Sequence, residues 1–412
     1  MLVARNLAQH ACMAGVPFTP DTRAEALVSS YERAGYRRLE LPILHPAEPF
    51  LDLSGEDIRK RMFLTTDAEG HELCLRPDLT IPVSRHYLAS PGAGRPAGYC
   101  YLGTVFRDRK ADGFGAGGQE GGPRGTKTSI REEPPEFLQA GIESFARPDT
   151  AAADAEMLAL GLAATGHYGL PRPDILMGDV GLFAALVAAL DLAPAWTRRL
   201  VKDFNQKVSL AHDLDRLTIG VSRAEGEYQG VLAALAGSDP KAAHALVTDL
   251  LSIAGTSAVG GRSVGEIADR FLEQAALAAR PSLPQDTRAL IERFLAVAGN
   301  PEDASKRLRA FANEASLKLD PALDLFESRI SLLASRGIDV SHIHFATAFG
   351  RGLDYYTGVV FELHDPAGRV EGQLVAGGRY DGLLTRLGSR DPIPAVGFAA
   401  WIERLAACGA AP

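Results

Sequence analysis

Segments with the period of β-strands occur at both ends of this chain, and a long block with the period of α-helices separates them. Near the N-terminus, RRLELPIL (37–44) alternates apolar and polar residues, as a half-buried strand does. From about residue 185 to 335 the segments become rich in Ala and Leu, which indicates amphipathic helices. Strand character returns at IHFATAF, YTGVVFEL and GRVEGQLVA. This order predicts an α+β fold, in which a central antiparallel sheet carries a helical insertion.

Local signals predict several individual elements. A capping box that begins at Asp21 and a glycine at position 35 predict a helix of about 13 residues. MFLTTDAEGHELCLRPD predicts a hairpin with its turn at 67–70, and residues 98–107 and 136–146 predict a second antiparallel pair. We expect Pro42 to place its strand at an edge or interface, because proline lacks a backbone N–H. VGFAAWIERL predicts a terminal helix.

Composition bounds the class of protein. The chain has 412 residues, of which 46% are hydrophobic and 23% charged, as expected for a globular protein of two or three domains. Its longest apolar stretches, such as LFAALVAAL, are shorter than the roughly 20 residues that a membrane span requires. With no signal-peptide pattern at the N-terminus, we expect a cytoplasmic protein without membrane contact. The net charge of −8 argues against nucleic acid as the main partner.

The sequence offers no metal or disulfide motif. The four cysteines have no CxxC spacing, which predicts free thiols rather than a zinc site or a disulfide framework. His342 and His344 have HxH spacing on a predicted strand, but no third ligand accompanies them, and we interpret them as structural. We therefore expect neither a metal nor a cofactor.

The stretch RGLDYYTGVVFEL (351–363) concentrates an arginine, an aspartate and two tyrosines just before an apolar run. Because side chains alternate along a strand, they can share one face only if the backbone bends, for which Gly350 and Gly352 are suited. Alone, the stretch is explained equally well by a sheet edge with a surface arginine and core tyrosines. Five further segments accompany it: LRPDLTIPVSR (75–85), YLGTVFR (101–107), EFLQAGIES (136–144), GGRYDGL (377–383) and GFAAWIERL (397–405).

Together these segments resemble the catalytic core of histidyl-tRNA synthetase and of its paralogue, the regulatory subunit of ATP phosphoribosyltransferase. RGLDYYTGxVFE and GGRYDGL are similar to the histidine-recognition signatures of that family, and the resemblance extends from GYRRLELPIL to Leu405. It implies the class II aminoacyl-tRNA synthetase fold, an antiparallel sheet flanked by helices and dimeric through the region that holds Pro42. We expect residues 1–185 and 336–412 to form this core and residues 186–335 to form the helical insertion.

The resemblance implies a pocket for free histidine, and one part of it would bind the amino-acid backbone. Asp78, Thr80 and Gln139 would receive the α-ammonium group. Arg351 and Gln139 would address the α-carboxylate through charge-assisted hydrogen bonds. Asp78 is one methylene shorter than the glutamate usual in synthetases.

The other part of the implied pocket would surround the imidazole, whose two ring nitrogens need polar partners. The resemblance assigns Glu143, Tyr356 and Tyr380 to this role. Taken singly, these residues have simpler explanations: Glu143 as a solvated strand residue, Gln139 as a surface residue and Tyr380 as a core tyrosine.

The same comparison implies that a nucleotide site has been lost. Synthetases bind ATP with an arginine in an FRxE segment and the glutamate two residues later; here Arg107 is kept but Arg109 replaces the glutamate. Trp401 stands where the family has a small residue that lets ATP approach, and its indole should overpack that space. Arg404 is retained. We interpret these four positions as a vestigial nucleotide site and expect no catalytic residue.

Two further features distinguish the chain from a synthetase. The run between Arg109 and Glu136 is so rich in glycine, above all at 113–125, that it predicts a flexible tether; no GKS or GKT follows, so a phosphate-binding loop is not indicated. Only eight residues follow Arg404, so we expect no C-terminal anticodon-binding domain.

These features favour a non-catalytic regulatory subunit. The resemblance implies a homodimer within a hetero-oligomer, assembled with a short-form ATP phosphoribosyltransferase that depends on it and is inhibited by histidine through it, at the first step of histidine biosynthesis. Two alternatives stay open at this point. One is a histidyl-tRNA synthetase or histidine-activating enzyme without the anticodon domain; the other is a synthetase-like interaction protein that binds uncharged tRNA.

Overall fold

The computed structural model describes residues 22–54, 58–108, 134–204, 240–253 and 283–409, together with positions 210, 214 and 268. The strands in these ranges are β1 (Arg37–Leu39), β2 (Leu44–Pro46), β3 (Leu64–Thr66), β4 (Glu72–Leu75), β5 (Ala97–Phe106), β6 (Glu136–Phe145), β7 (Asp174–Asp179), β8 (Ala298–Gly299), β9 (Ile343–Ala346), β10 (Val359–His364), β11 (Val375–Arg379) and β12 (Ala395–Trp401).

The helices in the same ranges are α1 (Thr22–Arg33), α2 (Glu48–Leu53), α3 (Thr80–Ala89), α4 (Thr150–His167), α5 (Val180–Ala189), α6 (Pro194–Phe204), α7 (Pro240–Ile253), α8 (Gln285–Leu295), α9 (Pro301–Glu314), α10 (Asp320–Ser335), α11 (Leu383–Arg386) and α12 (Ile402–Gly409). None of them is long and apolar enough to cross a membrane. The predicted first helix is confirmed as α1, and Gly35 follows it with a φ of +98°, a conformation that glycine adopts without strain.

A nine-stranded sheet unites both ends of the chain, in the order β1-β5-β6-β12-β11-β10-β7-β9-β8. Its pairs are antiparallel except for β1 with β5 and β7 with β9. The predicted α+β class, with a large antiparallel sheet and flanking helices, is confirmed. The predicted pairing of residues 98–107 with 136–146 is confirmed as β5 and β6.

A smaller sheet of order β2-β4-β3 contains the predicted hairpin at 67–70. The prediction of one strand over RRLELPIL is wrong, because β1 ends at Leu39 and β2 begins at Leu44. Nη1 of Arg76 donates to the carbonyls of Leu41 (2.6 Å) and Pro42 (3.0 Å). A side chain thus satisfies these backbone acceptors in place of a neighbouring strand.

The pattern of VGFAAWIERL predicts one terminal helix, and this prediction is wrong. The first part of the segment belongs to β12, and α12 begins only at Ile402. β12 pairs with β6 on one side and β11 on the other, so hydrogen bonds from two distant parts of the chain decide its conformation. The strand predicted over YTGVVFEL is likewise shorter than expected and begins at Val359, so the segment 351–358 is a loop.

Most described elements between residues 186 and 335 are helices, but β8 joins the edge of the large sheet through β9. α10 packs on α4 through the buried side chain of Arg329. The division into a core and a helical insertion stays a prediction. The glycine-rich run at 113–125 and Arg109 lie outside the described residues. Cys74, Cys100 and Cys408 are buried free thiols, as predicted.

One face of the large sheet is covered by helices, and the other carries a cavity. A methyl group added at Gly161 of α4 would lie 3.3 Å from Val375 and 3.4 Å from Phe361, so these residues face the helix. The positions next to them, Glu362 and Ala376, line the cavity. Alternation along the strands therefore separates a helix-covered core from the face that carries the cavity.

Candidate functional site

The cavity lies on the sheet face where β6, β10, β11 and β12 run side by side. Register places Gln139 of β6 directly opposite Trp401 of β12, and Glu362 of β10 opposite Ala376 of β11. Directly opposed residues of antiparallel strands project to the same side of the sheet. All four line a cavity of about 210 Å³.

Glycines in β11 and β12 leave room for side chains to pack directly against the strands below the cavity. A methyl group at Gly397 of β12 would lie 1.8 Å from Oε2 of Glu143, and one at Gly378 of β11 would lie 2.9 Å from the ring of Tyr356. Neither distance is tolerated between non-bonded atoms, so only glycine allows these side chains to approach the strands. The packing of Glu143 and Tyr356 thus requires glycine at these positions of the GGRYDGL and GFAAW segments.

The structure brings the predicted histidine-binding residues together around this one cavity. Six of them line it, namely Asp78, Thr80, Gln139, Arg351, Tyr356 and Tyr380. They come from the loop before α3, from α3, from β6 and from the two signature segments. The seventh, Glu143, is buried directly behind Thr80 and Tyr380, to which it is hydrogen-bonded. The simpler interpretations of Gln139 and Glu143 as surface residues are wrong, since these residues are 2% and 1% exposed.

Glu143 is a buried acid held by hydroxyl groups. Its carboxylate oxygens accept hydrogen bonds from Thr80 Oγ1 (2.7 Å), from the hydroxyl of Tyr380 and from the hydroxyl of Tyr101 (3.4 Å). Burial raises its pKa to about 8, although these three hydrogen bonds oppose the rise. The side chain therefore holds a proton at neutral pH in the absence of a ligand.

Asp78 lies in the loop just before α3. Its Oδ1 accepts a hydrogen bond from the backbone N–H of Ile81 at 3.1 Å, which anchors the carboxylate at the start of the helix. Its Oδ2 is buried and has no hydrogen-bond partner among the described residues. Burial raises the pKa of Asp78 to about 6, against the opposing effects of the Ile81 bond and Arg107. An ammonium group would supply the charge and the donors that this carboxylate lacks.

Arg351 lines the cavity and is held by residues of its own segment. Its Nε donates to Oε1 of Glu362 at 3.0 Å, and its Nη1 donates to the hydroxyl of Tyr356 at 2.6 Å. Glu362 also bonds His364, with Oε2 and Nε2 3.1 Å apart. Glu362 and Tyr355 line the cavity but were missed in the sequence analysis. The alternation of VVFEL, which places the glutamate on the face opposite Phe361, is the signal that could have identified Glu362.

A buried ionic network lies behind the two signature segments and was not predicted. Asp154 of α4 accepts from Nε of Arg379 (2.8 Å) and from Nε of Arg329 (3.0 Å), while Arg329 Nη1 donates to Asp179 (2.8 Å). The carbonyl of Arg379 accepts from the N–H of Thr357 at 2.8 Å. One arginine thus fixes the positions of the neighbouring Tyr380 and Tyr356.

The residues predicted as a vestigial nucleotide site divide between the cavity and its surroundings. Arg107 and Trp401 line the cavity. Nε of Arg107 donates to the carbonyl of Pro77 at 2.8 Å. The guanidinium of Arg404 lies 5.4 Å from the ring centre of Trp401, and its Nη1 donates to the carbonyl of Gln373 at 2.8 Å. Pockets for drug-sized ligands span roughly 300–1,000 Å³, so a cavity of about 210 Å³ suits an amino acid better than a nucleotide.

Comparison with known proteins identifies the family of this chain. A family model described as histidyl-tRNA synthetase matches residues 21–252 and 243–405. Proteins from Brucella canis and Brucella suis named ATP phosphoribosyltransferase regulatory subunit are 39% identical over 371 residues, which is 90% of this chain and 92% of theirs. The chain belongs to the ATP phosphoribosyltransferase regulatory subunit family. Relatives in this family are named as regulatory subunits, whereas the matching family model takes its name from an enzyme.

Solved structures show the same fold. A protein from Bacillus halodurans titled ATP phosphoribosyltransferase regulatory subunit/histidyl-tRNA synthetase aligns with a TM-score of 0.61 and 22% identity, over 95% of this chain and 79% of that one. A histidyl-tRNA synthetase from Nostoc aligns with a TM-score of 0.56 and 17% identity, over 93% of this chain and 70% of that one. The family shares the class II synthetase-like architecture, so the fold expected from the resemblance is confirmed.

Proposed function

We propose that this chain is a non-catalytic regulatory subunit that is required by a short-form ATP phosphoribosyltransferase and that binds free histidine as the feedback signal. The supporting observation is the cavity itself, which gathers six of the seven residues assigned to histidine recognition and places the seventh behind them. The sequence similarity to named regulatory subunits supports the same role. The protein would act in the cytoplasm. It would regulate the first step of histidine biosynthesis, in which ATP condenses with phosphoribosyl pyrophosphate.

The polar groups of the cavity match the groups of free histidine. Asp78, Thr80 and Gln139 would hold the ammonium group, and Arg351 with Gln139 would hold the carboxylate. Glu143, with Tyr356 and Tyr380, would receive the imidazole; a carboxyl that is protonated at neutral pH can donate to one ring nitrogen, and on losing its proton it can accept from the other. The site therefore adapts to either state of the ring.

Inhibition requires that histidine bind the inactive state of the assembly more tightly than the active one. A coupling free energy of about 1–3 kcal/mol is typical of such systems. We propose that the segments 351–358 and 377–382 close over the ligand, since Arg379 joins them through the Thr357 hydrogen bond and lies against α4. Closure would then move helices that contact the second copy of this chain or the catalytic subunit.

The function is tested by measuring phosphoribosyl-ATP formation by a purified short-form catalytic subunit, with and without this chain, each over a titration with histidine. Stimulation that histidine suppresses is the expected result. If the chain changes neither the rate nor the inhibition, the proposal is wrong.

A histidyl-tRNA synthetase activity is the second candidate, because Arg107 lines the cavity and Arg404 lies beside it. Histidine-dependent exchange of pyrophosphate into ATP would reveal it. We expect no exchange, since Trp401 occupies the wall that ATP would have to approach.

A further inference from the structure

Two residues of the cavity wall carry buried polar atoms that have no hydrogen-bond partner among the described residues. They are Oδ2 of Asp78 and Nε1 of Trp401. Trp401 is only 3% exposed, so its N–H has no access to bulk water. Buried polar groups in proteins are nearly always paired, and unpaired ones call for an explanation.

The two unpaired atoms have opposite chemistry. An indole N–H can only donate, and an ionised carboxylate can only accept. A ligand that satisfies both must carry an acceptor at one end and a donor at the other. A free α-amino acid is such a ligand, because its carboxylate accepts and its ammonium group donates.

The indole of Trp401 is firmly held at its place on the wall. Its backbone N–H donates to the carbonyl of Leu374 at 2.9 Å, and Arg404 covers its ring while bonding Gln373. Across the strand pair it lies directly opposite Gln139, on the same face of the sheet. The side chains of Gln139 and Trp401 are therefore neighbours on the wall of the cavity.

We propose that Trp401 is a specificity-determining residue of this site, whose indole N–H donates to the carboxylate of the bound amino acid beside Gln139. Trp401, which the sequence analysis assigned to a lost nucleotide site, is then part of the amino-acid site. Its ring fills the space through which ATP approaches in the related synthetases. This inference rests on the proposed function, because it takes a free amino acid as the ligand.

The test measures by calorimetry the binding of histidine and of histidinol, in which a hydroxymethyl group replaces the carboxylate, to the full chain. Trp401→Phe keeps an aromatic ring and removes only the N–H donor with part of the indole. It should weaken histidine binding about 10- to 100-fold, the loss of one charge-assisted hydrogen bond, and leave histidinol binding within about twofold. Trp196→Phe, the other tryptophan of the chain, lies in α6 and serves as the matched control that changes neither affinity.

Equal losses for histidine and histidinol would show that the indole only packs, and unchanged histidine binding would show that it makes no contact; either result overturns the inference while leaving the proposed function intact. Wild-type protein that binds no histidine would overturn both.

A second measurement does not depend on the fold of a Trp401 variant. The two tryptophans give two indole N–H signals in a ¹⁵N correlation spectrum, which Trp196→Phe assigns. Histidine should shift the Trp401 signal downfield and histidinol should not. A Trp401 signal that responds alike to both ligands contradicts the carboxylate contact.

Discussion

The guanidinium of Arg379 donates from Nε to Oδ1 of Asp154 at 2.8 Å, although the two residues are 225 positions apart in the chain. Arg329 approaches the other oxygen of the same carboxylate, with its Nη2 2.9 Å from Oδ2. The three side chains are between 0% and 4% exposed. A single aspartate of α4 thus ties the segment that carries Tyr380 to the helix α10.

Replacing Asp154 with asparagine should destabilise the fold strongly. The change leaves Arg329 and Arg379 buried with too little negative charge, and removing one partner of a buried ion pair typically costs about 3–5 kcal/mol. Urea unfolding followed by circular dichroism measures the free energy. Glu314→Gln is the matched control, because it breaks the exposed pair with Arg293 and should cost less than about 1 kcal/mol. Equal effects of the two changes would contradict a structural role for the network.

Gly397→Ala should destabilise the protein by about 1–3 kcal/mol, as overpacking of a core does, and should abolish histidine binding. The added methyl group would lie 1.8 Å from Oε2 of Glu143 and 2.4 Å from the carbonyl of Ile142. Gly166→Ala in α4 is the control, since nothing lies within 4 Å of the new methyl group there, and it should be neutral or slightly stabilising. Thermal unfolding and calorimetry give both quantities. Histidine binding that survives Gly397→Ala would refute the close packing of Glu143 against β12.

Glu143 should make the stability of the protein fall as the pH rises. Burial raises its pKa from 4.5 to about 8, so between these values the folded chain binds more protons than the unfolded chain. The stabilising contribution is fully present below about pH 4.5 and is lost as the pH rises through about 8. Glu143→Gln removes this pH dependence. Asp78 also has a raised pKa, but it contributes the same pH dependence to the wild type and to the variant. The free energy of unfolding, measured in urea at several pH values, should therefore fall more steeply for the wild type; parallel curves would rule the raised pKa out.

Tyr356→Phe should raise the histidine concentration needed for half-inhibition about tenfold or more and leave the stimulation of the catalytic subunit unchanged. The hydroxyl of Tyr356 accepts from Nη1 of Arg351 at 2.6 Å, and hydrogen bonds to charged groups contribute about 1.5–3 kcal/mol. Tyr36→Phe removes a bond of the same length, to Glu156, outside the cavity and should not affect inhibition. Loss of stimulation and inhibition together in Tyr356→Phe would count against the assignment of this site.

The elements predicted best are those defined by their own residues. Local signals predicted the helix α1 that ends before Gly35, the turn at 67–70 and the strand pair of β5 and β6, and the structure confirms these three elements. Asp21, where the predicted capping box begins, lies outside the described residues. The segment RRLELPIL was predicted less well, because the decisive contact comes from Arg76, more than 30 residues away.

The members of the site were predicted from short motifs, but their arrangement was not. The motifs showed a resemblance to a known family, and that resemblance implied that Asp78, Gln139 and Arg351 belong to one pocket. They did not identify Glu362 or the network around Asp154, because nothing in a single segment shows which distant charge it will meet.

The sequence by itself determined the local turns, the main strand pairs and the chemical types of the side chains that line the cavity. Only the tertiary structure decided that VGFAAW is a strand, that Glu143 is buried with a raised pKa, and that Trp401 stands opposite Gln139. A short apolar run fits a helix or a strand equally well, and the hydrogen bonds from β6 and β11 choose between them. Burial and cross-strand neighbours are properties of the assembled sheet, and they arise only when distant segments pack together.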